Sequence, residues 1–422
     1  MQVHSPEPTT TTPAAGDPLG SSSARRALAG FFVSGVLLSF LGTILFSWQH
    51  HLTSQYGIVG LYYAGLIVGL VGSARFSPAL LRRKGFSWTL ALACGLAGAA
   101  FLYLAFVSPP FSPWWRVAGM AIVGFSAGLL HTAIFHAISP MYRHDPAATV
   151  NLAGILFGAG CFTLAILISG TFYLYTAAAV QVWIAVIPAL FGWMYWKTPF
   201  VVSSQAESGT EHPATRATFS GLRSTGAVLL SLLLFFQLGN EWALAGWLPL
   251  FLSQRLGISP PSALGMLALY WLALTIGRAA SQWILPRARH GRLLLTTVTA
   301  AMFGCIILGA TDNKFGAITG VLLVGGAFAP IYPLLVEKIG HRFPSYHPGF
   351  YNGIFSLAMA GGLLTPGVMG YIASVYGLRM IMLIPLIGSV VVFVLLLLIW
   401  LESRLRAYSS PPAASSAHSA GQ

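Results

Sequence analysis

The chain has 422 residues, of which 56% are hydrophobic and only 7% charged, with 46 glycines and 12 tryptophans. No soluble domain keeps that balance, so the composition excludes a soluble globular protein and points to a polytopic membrane protein. The net charge of +13 does not mark a nucleic-acid binder, because the basic residues are scattered at segment ends and form no basic patch interleaved with aromatics.

Residues 1–24, MQVHSPEPTTTTPAAGDPLGSSSA, are rich in Ser, Thr and Pro and contain no apolar signal-peptide core, so a disordered tail is expected there. A hydrocarbon layer of about 30 Å needs about 20 apolar residues per helix. On that measure the chain in order predicts helices at about 27–48, 58–76, 87–107, 114–138, 149–171 and 176–197. The polar, Ser/Thr-rich stretch from Lys197 to Arg223 interrupts the series. Six more follow at about 224–250, 262–285, 292–310, 315–337, 350–373 and 378–400. The predicted fold class is therefore an all-α polytopic membrane protein of twelve transmembrane helices. The expected units are a six-helix bundle over 25–197, a linker over 198–223, a second six-helix bundle over 224–404 and a disordered tail over 405–422.

An even number of crossings puts both ends of the chain on one side. With the N-terminus on that side, 17 of the 22 Lys and Arg residues fall there. The opposite loops carry only Arg116, Arg255, Lys314 and Arg379. By the positive-inside rule both termini and the linker are expected to be cytoplasmic, in a plasma or bacterial inner membrane. Cys94, Cys161 and Cys305 lie inside apolar segments with no CxxC or Cys/His spacing, so they are expected to pack rather than to form disulfides or bind metal. No cofactor is expected.

The halves repeat. Helix 5 begins NLAGILFGAG at Asn151 and helix 11 reads NGIFSLAMAG from Asn352, an offset of 201 residues. The second-to-third helix loops, LLRRKGF at 80–86 and PRARHGR at 286–292, recur at about the same offset. Two related bundles imply a cleft between them, in which a solute site near the midplane could be exposed to either side in turn.

These features together resemble the Major Facilitator Superfamily over roughly residues 25–404. The strongest local likeness is 236–283, FQLGNEWALAGWLPLFLSQRLGISPPSALGMLALYWLALTIGRAASQW. Its Gly-x-Glu, Gly-Trp, aromatic-Trp and Gly-Arg elements are similar to the fucose permease-like branch, which includes proton- and sodium-coupled hexose carriers. The resemblance implies two pseudo-symmetric bundles and a gate in the loops carrying Arg82, Arg83 and Arg289. The superfamily's Gly-x-x-x-Asp-Arg-x-Gly-Arg-Arg signature would place an acid three residues before Gly85 and Gly291. Arg82 and Ala288 stand at those positions. The branch also uses carboxylates in helices 1 and 4, and neither helix here contains one.

The remaining candidates come from the residues themselves. Glu241 is the only deep acid, about sixteen residues into helix 7, and Gln237 and Asn240 precede it by four and one positions. A carboxylate in hydrocarbon costs several kcal/mol and must face a partner, water or the bundle interior. Glu241 therefore reads either as a site for a hydroxyl-bearing solute, H⁺ or Na⁺, or as a structural carboxyl paired with an arginine. Arg278 in helix 8 shares a face with Trp271 and Gln282; it reads as a gate or packing residue, or as a partner of solute or Glu241. Counting residues along the two helices puts Arg278 and Glu241 about 12 Å apart in depth.

His131 and His136 in helix 4 read as packing histidines, with His131 also able to titrate near neutral pH. Asn151 and Asn352 at their helix starts suggest capping or gate packing. Trp247, Tyr270 and Trp271 offer faces on which a pyranose could stack, Trp271 most of all because it is mid-helix. Gly65/Gly69, Gly124/Gly128 and Gly154/Gly158 mark close helix crossings. No phosphate loop, metal motif or nucleophile arrangement appears, so an enzyme is not expected.

The expected activity is secondary active transport of a small polar solute, a sugar first, as a symporter with H⁺ or Na⁺ in a lipid-embedded monomer. The alternatives are an exporter of amphipathic compounds and a non-transporting sensor or scaffold.

Overall fold

The computed structural model describes residues 18–50, 52, 55–138, 146–198, 225–284, 287, 290–342 and 348–409. Eleven helices among them are long and apolar enough to cross a membrane. One of these, Tyr56–Phe106, has 51 residues. At 1.5 Å per residue it would extend about 77 Å, more than twice the hydrocarbon thickness. Gly85 breaks it with φ 79° and ψ 178°. That left-handed φ is open to glycine without strain, and the chain reverses there. The result is two crossings, α2 (56–84) and α3 (86–106), and twelve in all.

The others are α1 (Ser23–Ile44), α4 (Pro113–Ala137), α5 (Pro146–Thr171), α6 (Ala177–Trp196), α7 (Thr225–Leu256) and α8 (Pro260–Ile284). They are followed by α9 (His290–Ala310), α10 (Lys314–Ile339), α11 (Pro348–Tyr376) and α12 (Leu378–Glu402). The predicted second helix ended near 76, but α2 continues to residue 84. Leu80, Leu81, Arg82, Arg83 and Lys84 are strong helix formers, and the three basic side chains are exposed at its end. Proline opens α4, α5, α8 and α11, where its missing N–H costs nothing. Thr176 caps α6 by accepting from Ala179 N at 3.3 Å, and Asn313 caps α10 by accepting from Gly316 N at 2.7 Å. Ala329 and Pro330 interrupt α10, because proline cannot supply the N–H of the ladder.

Large apolar side chains such as Val68, Leu190, Trp193, Ile276 and Trp283 are exposed, as lipid-facing positions must be. Inside, serines and threonines return their hydroxyls to the preceding turn: Ser39 to Gly35 O at 2.7 Å, Ser389 to Pro385 O at 2.7 Å. Small residues set the crossings. A Cβ on Gly65 or Gly69 would run into the α4 backbone at Val117 and Ala121, and one on Gly124 into α2 at Leu66.

Helices α1–α6 form one bundle and α7–α12 the other. Among the described residues they meet along three seams, and the end of α10 also packs on α5. Across α2 and α11, Gly60 and Gly370 touch backbone to backbone. Between α1 and α7, Gly42 lies against Ala245 and Gly246. The third seam, α5 on α8, runs the length of both helices: Ser169 Oγ donates to Pro261 O at 2.8 Å near one end, and Asn151 Nδ2 donates to Arg278 O at 3.0 Å near the other.

Candidate functional site

The middle of α7 carries the acid in a sequence otherwise built for burial, LLSLLLFFQLGNEWALAGWLPLFL. Glu241 is 3% exposed and makes an ion pair with Arg278 of α8, Nη2 to Oε2 at 3.0 Å. Its other oxygen accepts from Gln237 Nε2 at 3.2 Å, one turn earlier on the same helix. Tyr270 O–H donates to the Glu241 backbone oxygen at 3.3 Å.

The pair closes the gap of about 12 Å that counting along the helices leaves between the two residues. The reason is direction. Side chains lean toward the N-terminus of their own helix, and α7 and α8 run antiparallel. Glu241 therefore leans toward the start of α7 while Arg278 leans toward the start of α8, so each approaches the other's level. Together they offset much of the desolvation that either charge would suffer alone.

Arg278 also reaches the other bundle. Its Nη1 donates to Gly154 O of α5 at 3.2 Å, and its own backbone oxygen accepts from Asn151. Gly154 and Gly158 allow this approach, since a Cβ on Gly154 would lie 2.9 Å from Arg278 Nη1 and one on Gly158 would meet the Thr275 hydroxyl. The glycine pair, legible in the sequence as a packing stripe, is the seat of the arginine.

Along the α5–α8 seam three buried polar atoms have no hydrogen-bond partner: Arg278 Nε, Trp271 Nε1 and Asn151 Oδ1. Two are donors and one is an acceptor. Aromatic rings wall the same place. Phe157 of α5 packs on Trp271 at 6.1 Å and on Trp242 at 5.8 Å, and Trp271 meets Tyr270 at 5.3 Å. Tyr332 of α10 lies within electrostatic reach of both Arg278 and Glu241. The sequence analysis missed Phe157, Trp242 and Tyr332. Only the aromatic at Phe157, one position before Gly158 on the stripe, offered a signal.

The other predicted residues stand apart from this cluster. Asn240 lies about 100° around α7 from Glu241, as one residue of helix dictates, and faces α12, with Nδ2 3.5 Å from Ser389 Oγ. Trp247 donates to Pro366 O at 2.9 Å and packs on Tyr56, a structural contact with α11 and α2. His131 sits edge-on to Phe31 at 5.8 Å and stacked on Phe135 at 6.2 Å. His136 Nδ1–H donates to Thr132 O at 2.8 Å.

Asn151 is not a cap: it is the sixth residue of α5, and its side chain crosses to α8. Arg82 and Arg83 are exposed at the α2–α3 turn. Asn352 lies within α11, with its side chain outside the described residues, as is Arg289 altogether. Arg255 donates to Gly309 O and pairs with Asp312 at 3.4 Å.

Comparisons with known proteins agree with this architecture. Residues 147–362, just over half of the chain, match the Major Facilitator Superfamily. A Yersinia pestis protein described as an uncharacterized MFS-type transporter is 26% identical over 151 residues, covering 36% of this chain. A glucose/galactose transporter of Brucella abortus is 26% identical over 162 residues, covering 38%. The chain matches 39% of the length of each of these curated relatives. The nucleoside transporter NupG superposes with a TM-score of 0.66 at 13% identity, over 92% of this chain and 100% of that one. The Escherichia coli fucose:proton symporter FucP superposes with a TM-score of 0.60 at 16% identity, over 90% of this chain and 99% of that one.

Proposed function

The chain belongs to the Major Facilitator Superfamily, and from that premise we propose that it is a secondary active carrier of a small polar solute, a sugar first, held between the bundles at the Glu241–Arg278 node. The observation that carries this reading is the set of three unpaired buried atoms at the seam between α5 and α8. Arg278 Nε–H and Trp271 Nε1–H can donate to solute hydroxyl oxygens, and Asn151 Oδ1 can accept from a solute hydroxyl. Adjacent hydroxyls on a ring present both functions, and the indole of Trp271 gives the ring a face to lie on. The glucose/galactose transporter and the fucose symporter among the similar proteins support a sugar as the solute.

Coupling follows from the same atoms. Both carboxylate oxygens of Glu241 are engaged while it is ionised. A proton on Glu241 neutralises it and releases Arg278, whose guanidinium is one of the groups that tie α8 to α5. Proton binding, solute contact and the hold between bundles then converge on one ion pair. Glu241 fits the coupling role better than His131, whose ring is packed between Phe31 and Phe135. The excess of Lys and Arg on one side supports a cell membrane as its location, with both termini cytoplasmic.

The test is uptake into proteoliposomes loaded with the full-length chain. Radiolabelled hexoses should be taken up faster under an inward proton gradient, and unlabelled hexose should compete. Uptake that ignores the proton gradient would remove the coupling, and no sugar flux in either direction would remove the solute class.

A further inference from the structure

A second buried arginine lies away from the Glu241 node. Arg116 stands in the first turn of α4 and is 4% exposed. Its guanidinium carbon is 5.2 Å from the centroid of the Trp48 ring and 5.7 Å from that of Tyr62. Those ring faces attract the cation. Nε and Nη1 of Arg116 have no hydrogen-bond partner, and neither do Trp48 Nε1 and the Tyr62 hydroxyl beside it. Trp48 and Tyr62 are 3% and 0% exposed, so these atoms are closed off from solvent as well. The rings are fixed in place: Trp48 packs on Tyr62 at 5.3 Å and on Phe40 at 5.9 Å, and Tyr62 on His50 at 5.5 Å.

The three side chains come from α1's exit, the second turn of α2 and the first turn of α4, so they converge at one mouth of the N-terminal bundle. Every unpaired group there can donate a hydrogen, and the set carries a full positive charge. The one described carboxylate in the loops at this end of the molecule, Asp312, is held by Arg255. The start of α4 adds the partial positive charge of a helix N-terminus.

We propose that Arg116, Trp48 and Tyr62 form an anion site that binds the oxyanion of a phosphate or carboxylate group. The guanidinium supplies charge and two donors, while the indole N–H and phenol O–H grip the same oxygens from the ring side. Two sources present that chemistry at a membrane surface: a soluble anion arriving from the aqueous phase, and the phosphate of a lipid headgroup. The site is independent of the sugar reading and stands or falls separately from it.

The test uses the purified full-length chain. In detergent, the thermal midpoint is titrated with sodium phosphate and with sodium acetate, against sodium chloride at matched ionic strength. In nanodiscs, it is compared between phosphatidylcholine alone and phosphatidylcholine mixed with phosphatidylglycerol. A ligand that binds only the folded state raises the midpoint saturably. The expected result is such a rise in at least one arm, abolished in Arg116→Gln.

Trp48→Phe and Tyr62→Phe keep the rings and remove one donor each, and should weaken the anion about three- to tenfold. A rise with phosphate or acetate identifies a soluble ligand; a rise confined to phosphatidylglycerol identifies the lipid. No saturable rise in any arm, or the same rise in Arg116→Gln, overturns the site. If Arg116→Gln does not fold, unchanged affinity in both phenylalanine variants overturns it equally.

Discussion

Each bundle buries one arginine among its described residues, and the two are held in different ways. Arg278, in the C-terminal bundle, has a carboxylate at 3.0 Å and the Gly154 carbonyl of the facing bundle at 3.2 Å. Arg116, in the N-terminal bundle, has two ring faces and no carboxylate among the described residues. A buried cation can be balanced within the fold or left to an outside ligand, and here the pseudo-symmetric halves differ on that point. The balanced arginine is the one that crosses between bundles. One of its bonds joins the two bundles, whereas the ring contacts of Arg116 lie within one bundle.

The largest expected effect in sharpening that contrast is Arg278→Ala. It leaves Glu241 as a buried carboxylate without its counter-ion, at a cost of about 3–5 kcal/mol. Folded yield should drop, and uptake should fall about a hundredfold or more. Arg255→Ala, which loses a bond to the Gly309 oxygen and a pair with the exposed Asp312 near the membrane surface, should change uptake less than about threefold. Combining Arg278→Ala with Glu241→Gln removes both charges, and yield should recover while transport stays absent. Recovery of transport in the double variant would make the pair structural and erase the contrast with Arg116.

Next comes Glu241→Gln alone. It keeps the volume and a hydrogen-bonding amide but cannot take a proton. Expression should persist while initial uptake falls about tenfold or more and its rate between pH 5.5 and 8 becomes flat. An unchanged pH profile in this variant would remove the coupling role. Asn151→Ala should be milder: a neutral bond between bundles and the acceptor for a solute hydroxyl are lost, each worth about 1 kcal/mol, for a roughly five- to thirtyfold fall in uptake at normal yield. The smallest effect is expected for His131→Asn, within about twofold in uptake and pH profile. A large loss there would move the proton site into the bundle that holds Arg116.

Much of the fold was legible because span length and Lys/Arg placement are simple consequences of a bilayer. The twelve helices fall close to where apolar runs of about 20 residues put them. The break at Gly85 could be anticipated from the basic run before it, but not that helix continues to residue 84, since that depends on three basic side chains reaching water. At the site, Glu241 and Gln237 could be joined by spacing alone. Their pairing with Arg278 could not, because depth was counted along Cα positions and the lean of side chains on antiparallel helices closes the remainder. Asn240 shared the polar cluster in sequence yet faces α12, since one position along a helix turns a side chain onto another surface. Arg116 counted only as one of four basic residues on the sparse side; its burial comes from Trp48 and Tyr62, which are distant in sequence.

The two side-chain bonds from α5 to α8 have a mechanical meaning. Asn151 and Ser169 are eighteen residues apart, about 27 Å along the helix, and both donate to backbone oxygens of α8. They resemble two pins on one door edge. When rigid bodies turn about an axis, contacts on the axis stretch little, while those far from it part by the angle times their distance. Turning about the α5–α8 seam would leave both pins nearly intact and would pull Gly60 away from Gly370 across the width of the molecule. Glycine suits that far contact, since two backbones that meet there without Cβ atoms can separate and return with little to repack at the point of touch.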